Sequence, residues 1–362
     1  MKFIKTHTLS AAFLSLFILA SCKQNSNQKS EQSVVHKQSK KRIQLVRNDE
    51  EKKVDVFIDE QLFTSYIYPN NIKKPVLYPI ITPKGTKITR KFPLEPSVGE
   101  RVDHPHHVGL WFTYGDVNGL DFWNNSDSIK IEKQANYGHI LHKEILNIKN
   151  GNTEGSLQVT MDWLSPENEI LLKETTTFIF KGEGDEFSID RITNLRAQES
   201  EVTFNDNKEG VLGIRVTRVL EHPSNKPDIF TDADGNPTKV AVLNNDGVNG
   251  KYINSNAVEG TASWGKRADW VNLTSTIGNE NISLVILDHS ANIGYPTYWH
   301  ARGYGLFAAN PLGQKVFSNG KESLNFKLKK DEEVTFKHRI IVASRNLDNT
   351  TLNTRFSDFS KH

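Results

Sequence analysis

The chain has 362 residues, a formal net charge of +2 and a single cysteine. That small excess leans on lysines before residue 43, and no basic patch carries interleaved aromatics, so nucleic acid is not expected as a partner. One cysteine excludes a disulfide scaffold, and acylation of that cysteine would exclude thiolate chemistry too.

The first segment reads as an export signal. Lys2 and Lys5 precede an apolar run, Leu9 to Leu19, which is too short to span a bilayer and has the length of a signal-peptide core. It ends in Leu19-Ala20-Ser21-Cys22. Small residues before a cysteine suit the narrow pocket of a lipoprotein signal peptidase, and the thiol can take the lipid. Residues 1–21 are therefore expected to be a lipoprotein signal peptide, with Cys22 lipidated. Residues 22–42, rich in Lys, Gln, Ser and Asn, have too little apolar surface to fold and read as a flexible tether. The expected location is a membrane reached through the lipid anchor, periplasmic or at the cell surface. Residues 43–362 are then a single β-sandwich catalytic domain, long enough to bury its own core.

From residue 43 the pattern is all-β. Val54–Ile58 and Leu62–Tyr68 flank Asp59-Glu60-Gln61 as a hairpin. Ser156–Leu164, Leu171–Phe180, Phe187–Leu195, Glu201–Asn205, Val211–Leu220, Ile282–Asp288 and the pair Leu324–Leu328 and Glu333–Val342 follow. Turn markers such as Asn150-Gly151 and Asp234-Gly235 separate them. No long stretch has helical periodicity, and no phosphate-binding loop or dinucleotide fingerprint occurs. Short strands at frequent spacing predict a large β-sandwich rather than alternating β-α units.

Four segments depart from this pattern. In Arg101-Val-Asp-His-Pro-His-His-Val-Gly-Leu-Trp111, Pro105 biases His104 toward extended backbone. An extended chain sends His104 and His106 to one side and His107 to the other. A divalent metal is possible there, but it needs a third ligand such as His300 or Glu209. In Asp206–Val216, Lys208, Glu209 and Arg215 bring a carboxylate and two cations to one strand, either as a surface ion pair or converging on a polar ligand. In Trp264-Gly-Lys-Arg-Ala-Asp-Trp270 an exposed indole suits a sugar face and Arg267 suits a carboxylate or sulfate; a tryptophan core flanked by solvated charge fits these residues equally well. Finally, Tyr298, His300, Arg302 and Tyr304 would share one face of an extended strand, which reads as facing a ligand.

In order, His104-Pro-His-His…Gly-Leu-Trp111, Gly115-Asp-Val-Asn-Gly119, Lys208-Glu-Gly210, Trp264-Gly-Lys-Arg-Ala268 and Trp299-His-Ala-Arg-Gly-Tyr-Gly305 resemble the motifs of the bacterial PmoA-like family, often labelled methane oxygenase. The resemblance runs from about Ile43 to the end. It implies an exported domain found alongside enzymes of polysaccharide breakdown. Some relatives look like oligosaccharide dehydratases acting on uronic-acid sugars of algal, ulvan-type glycans. By analogy the sandwich would be a galactose-mutarotase-like supersandwich.

The leading functional expectation is a carbohydrate lyase, a dehydratase that eliminates water from a terminal uronic acid of an acidic oligosaccharide. His300 or Tyr304 would be the base, and His107 or His104 the acid, with Glu209 in the same catalytic group. Arg215, Arg267, Arg302 or a metal would neutralise the carboxylate, with Lys208, Trp264 and Tyr298 binding substrate. Other readings are a glycoside hydrolase using Glu209 with Asp269 or Asp288, a sugar epimerase, or a non-catalytic glycan-binding lipoprotein stacking sugars on Trp264, Trp270 and Trp299. A metal-dependent oxygenase would require bound copper or iron.

Overall fold

A computed structural model describes residues 41–361. Cys22, the expected signal peptide and nearly all of the expected tether lie outside the described residues. Among those residues no helix is long and apolar enough to cross a membrane.

Two antiparallel sheets of eight strands form the domain. The first runs, in spatial order, Ile43–Asn48, Lys53–Ile58, Gln61–Ile67, Val76–Leu77, Leu110–Tyr114, Gly210–Arg215, Leu306–Asn310 and Tyr298–Ala301. The second runs Lys251–Asn254, Trp270–Ile277, Glu280–Asp288, Glu333–Ala343, Glu186–Ala197, Ile170–Glu183, Glu154–Leu164 and His139–Lys149. Their inner faces meet in one apolar core, where Phe112 of the first sheet packs 5.5 Å from Phe336 and 6.4 Å from Trp163 of the second. Alternation explains which residues enter it: Phe178 and Phe180 point inward while Thr177 and Ile179 are half-buried on the other side.

The outer face of the second sheet is covered by the helix Asn349–Phe359, which the sequence reading did not foresee. Asp348 caps it by accepting from the Thr351 amide at 2.8 Å. Leu352 and Phe359 pack on Trp270, Val285, Leu287 and Ile341. Burying each such side chain contributes about 1.5–3 kcal/mol. The expected pair at the C-terminal end is also corrected: Phe326–Leu328 pairs with Val202–Phe204, whereas Glu333–Ala343 is central in the second sheet.

The outer face of the first sheet carries the polar residues. Cross-strand register aligns Trp111, Gly213, Ala308 and His300 in one row. Gly213 is required there, because a Cβ would stand 2.7 Å from Trp111 Cζ2 and 2.8 Å from Trp123 Cη2. Two indoles, 5.1 Å apart and inclined at 62°, can thus pack against the strand and form the floor beneath His107.

Candidate active site

The segment Asp103–His107 is a turn, not an extended strand. The His107 amide donates to the His104 carbonyl at 2.9 Å, and His104 has φ +46°. This overturns the expected separation of the histidines. A left-handed non-glycine residue is a strained conformation that its surroundings must hold. Arg90 does so: its guanidinium donates to the carbonyls of Asp103 (2.7 Å), His104 (2.8 Å) and His107 (3.1 Å). Arg90 was not singled out in the sequence, since nothing near it marks an arginine that is 2% exposed.

Four rings then stack nearly parallel. Tyr304 lies 5.4 Å from His104, His104 is 4.7 Å from His107, and His107 is 5.2 Å from Trp111. His104 is outermost of the histidines, with 41% of its side chain exposed. His107 is 1% exposed and lies beneath it, with Nδ1 3.1 Å from Arg215 Nη1. An acid role for His107 on substrate is therefore replaced by a supporting one. Burial first, then the charges of His106 and Arg215, hold His107 well below the ordinary histidine range. It stays neutral and accepts at Nδ1 from the guanidinium.

Asp103 joins the parts. Its Oδ1 accepts from Arg215 Nη2 at 2.7 Å and Arg90 Nη1 at 3.1 Å, and its Oδ2 contacts His104 Nδ1. Burial opposes its ionisation, but the His104 hydrogen bond and the two guanidiniums outweigh this and hold the carboxyl below the usual carboxylate range. The charged carboxylate orients His104, so that Nε2 is the nitrogen left for chemistry. An aspartate beside a histidine was the available sequence signal.

On the strand side, His300 is 2% exposed and Nδ1 lies 3.0 Å from the Lys208 carbonyl and 3.6 Å from Glu209 Oε2. The carbonyl only accepts, so Nδ1 carries the proton. Burial, with Arg302 and Lys208 nearby, lowers His300 to about 3, keeping it neutral at physiological pH. Glu209 also contacts Lys208. Arg215 stands at the other end of that strand on Asp103 and His107, so Lys208, Glu209 and Arg215 do not meet at one point.

Only Tyr298 and His300 share a strand face. Arg302 and Tyr304 fall in the turn closed by Gly305 N donating to Arg302 O, and they reach the site from there. Burial raises the Tyr304 phenol, though Arg215 and Arg302 pull the other way. The Arg215 guanidinium lies 4.9 Å from the Tyr304 ring and that of Arg302 5.7 Å. Arg302 is exposed, lies 5.6 Å from the Trp264 ring, and has no ion-pair or hydrogen-bond partner for its guanidinium among the described residues. Trp264 in turn stands 6.4 Å from His300.

Several expected ligand contacts prove structural. Arg267 donates to the carbonyls of Gly294 (3.0 Å) and Pro296 (2.7 Å), pairs with Glu322 and covers the Tyr298 ring at 4.4 Å. Tyr298 OH donates to Glu322 as well. Trp270 and Trp299 are 0% exposed, with Nε1 on Asn353 and on the Ala268 carbonyl, so a three-tryptophan platform does not form. Asp269 accepts from Tyr295, and Asp288 from Asn292 and Thr297, so both expected carboxylate partners of Glu209 hold structural hydrogen bonds, while Glu209 itself contacts Lys208 and His300. Among the described residues, no three His, Cys, Asp or Glu side chains are grouped to hold a metal.

A cleft of about 440 Å³ opens beside this cluster, lined by Trp264, Arg302 and Tyr304 together with Arg101, His222 and Lys226. A larger one of about 660 Å³ lies elsewhere, among Arg42, Glu186, Arg339 and Arg345, but those arginines pair with Asp59, Glu186, Asp190 and Asp185. Unspent charge is thus found at the first cleft.

The fold and the site define an all-β sandwich with a histidine–arginine cluster beside a cleft lined by Trp264, Arg302 and Tyr304. The chain belongs to a family of unknown function, DUF6807, whose model matches residues 53–357. This corrects the resemblance to the PmoA-like family: the match over most of the folded chain is to DUF6807, and the similar solved structures are of another kind. No curated protein sequence matches. The galactosidase domain of an alpha-galactosidase–sucrose kinase is similar at 9% identity and TM-score 0.42, over 83% of this chain and 42% of that one. A GH36 alpha-galactosidase of Geobacillus stearothermophilus is similar at 9% identity and TM-score 0.39, over 84% and 42%. A galactose mutarotase-like protein of Clostridium acetobutylicum is similar at 12% identity and TM-score 0.38, over 83% and 98%. The chain thus spans less than half of the galactosidase chains it matches. At such identities and TM-scores the likeness bears on neither activity nor substrate.

Proposed function

We propose that the protein is a lyase that eliminates water from a terminal uronic acid of an acidic oligosaccharide, leaving a 4,5-unsaturated sugar. One observation carries this reading: an Asp103-oriented His104 stacked on Tyr304, with the unpaired Arg302 guanidinium over the same tyrosine ring. Arg302 neutralises the substrate carboxylate, which makes the weakly acidic C5 proton removable. His104 Nε2 takes that proton, and its electron pair becomes the C4–C5 double bond. The C4–O bond breaks, and Tyr304, kept protonated by burial, gives its proton to the departing hydroxyl, which leaves as water. The proton on His104 then returns to the tyrosinate. Neutral His300 donates from Nδ1 to the Lys208 carbonyl, and its remaining nitrogen is suited to a sugar hydroxyl. This assignment moves the base from His300 to His104, because a histidine lowered to about 3 is a poor base at neutral pH.

The test is incubation of the protein with acidic oligosaccharides ending in a uronic acid, following ultraviolet absorbance and product mass. A rise in absorbance with loss of one water supports the dehydratase. Rising absorbance with a cleaved chain means a glycan lyase, and binding with no change of mass or absorbance refutes elimination. We also infer lipid anchoring through Cys22. Labelled palmitate should enter the wild-type chain and not Cys22→Ser, and equal labelling of both would refute the anchor.

A further inference from the structure

The cleft of about 440 Å³ extends past Trp264, Arg302 and Tyr304 to residues that the reaction above does not use. Its charges can be paired off. Arg101 pairs with both Glu221 and Asp228, and Glu221 is shared with Arg218. Asp228, the acidic residue of the lining, is therefore already neutralised. His222 is kept neutral by burial, and its Nε2 is buried with no hydrogen-bond partner. Two cations remain, Arg302 and the exposed Lys226, whose ammonium has no partner among the described residues. The lining also contributes the half-buried indole of Trp264, whose Nε1 is unpartnered. The space is ample for a hexose ring. An aromatic wall, two spare donors and a net positive lining together suit a sugar that carries its own anionic group.

We propose that this cleft is a second subsite, in which Lys226 binds the sulfate or carboxylate of the sugar ring adjoining the one that reacts. This rests on the lyase reading for what occupies the neighbouring position, but the binding itself does not require turnover. It follows that the preferred substrate is an oligosaccharide charged on two consecutive rings, and that a lone uronic acid misses half of the recognition surface. Sulfate and carboxylate offer Lys226 the same chemistry, so the arms of the test separate them.

The probes are glucuronic acid and three disaccharides ending in glucuronate, whose second ring is sulfated, carboxylated or neutral. Affinity is measured calorimetrically on the wild-type protein and on Lys226→Ala, with Lys226→Arg as the conservative variant. Loss of a charge-assisted contact should weaken both charged disaccharides about tenfold or more. Glucuronic acid and the neutral disaccharide should be unchanged, Lys226→Arg should restore most of the loss, and added salt should narrow the difference. A drop for only one charged disaccharide identifies the group that the subsite takes. Equal affinities of Lys226→Ala and wild type for all probes, or equal loss for all, would overturn the subsite, as would failure of the wild type to bind any of them. Lys226-dependent binding without elimination would leave the subsite standing and remove the lyase reading instead.

Discussion

Replacing Asp103 by asparagine probes the centre of the site. Shape and one acceptor are kept, while the charge that balances Arg90 and Arg215 is removed. Those guanidiniums are 2% and 0% exposed, and each is within hydrogen-bond reach of Asp103 Oδ1. Arg90 is already depressed to about 9 by burial and by Arg215, so it tolerates little further loss of compensation. Breaking a buried ion pair from one side costs about 3–5 kcal/mol. Asp103 itself is 20% exposed, which favours the lower end, about 3 kcal/mol. For a domain of this size that corresponds to a fall in Tm of about 4–5 °C. Urea unfolding should show a lower midpoint at unchanged slope. Arg215→Met in the Asp103→Asn background should recover part of the loss, because the orphaned charge goes with it. A loss below about 1 kcal/mol, the worth of an exposed pair, would refute the claim that Asp103 is the counter-ion of this cluster.

Three further outcomes are expected. His104→Gln and Tyr304→Phe should each lower turnover about a hundredfold or more with little change in stability, read by the elimination assay beside thermal melting; full activity in both would remove the proposed roles. Acid should destabilise the fold: below about 6.5 the unfolded chain takes a proton that His300, lowered to about 3, refuses, so stability falls as pH falls. Between pH 7 and 5 His300 alone costs about 2 kcal/mol, and buried His106 and His107 act in the same direction. Asp288, raised to about 7 by burial, works oppositely and offsets His338 beside it, so unchanged urea midpoints at pH 7 and 5 would contradict the neutral-histidine account. Gly213→Ala forces a methyl into two indoles and should cost about 1–3 kcal/mol by urea unfolding; a neutral substitution would mean that the Trp111–Trp123 floor yields easily.

Strands with one half-solvated face were legible in the sequence. Ile170–Glu183 alternates from Leu172 onward, and Glu186–Ala197 alternates except at Ile189-Asp190-Arg191, where Asp190 is buried as well; their expected cores, Leu171–Phe180 and Phe187–Leu195, fall inside them. Leu110–Tyr114 and Leu306–Asn310 were not found, because both of their faces are buried and alternation disappears. The helix Asn349–Phe359 escaped for a related reason: Leu352 and Phe359 are its two fully buried residues, too few to print a helical period. The expected strand Val211–Leu220 ends at Arg215, and a short 3-10 turn, Arg218–Leu220, takes up its tail.

The site was legible as a set of residue types but not as a geometry. Period-two reasoning placed Tyr298 and His300 together and then ran three residues past the end of the strand at Ala301, so Arg302 and Tyr304 were assigned a face when they occupy a turn. The same reasoning spread the histidines apart, since the bias of the residue before proline favours extended backbone. What defeats that bias is Arg90, which accounts for the carbonyls of the turn from 14 positions away along the chain. A left-handed His104 thus depends on a guanidinium that touches no substrate in the proposed reaction. Arg90 is itself compensated by the aspartate that orients the same histidine. Positioning and electrostatics of His104 are consequently one network, and a substitution at either Arg90 or Asp103 should move both together.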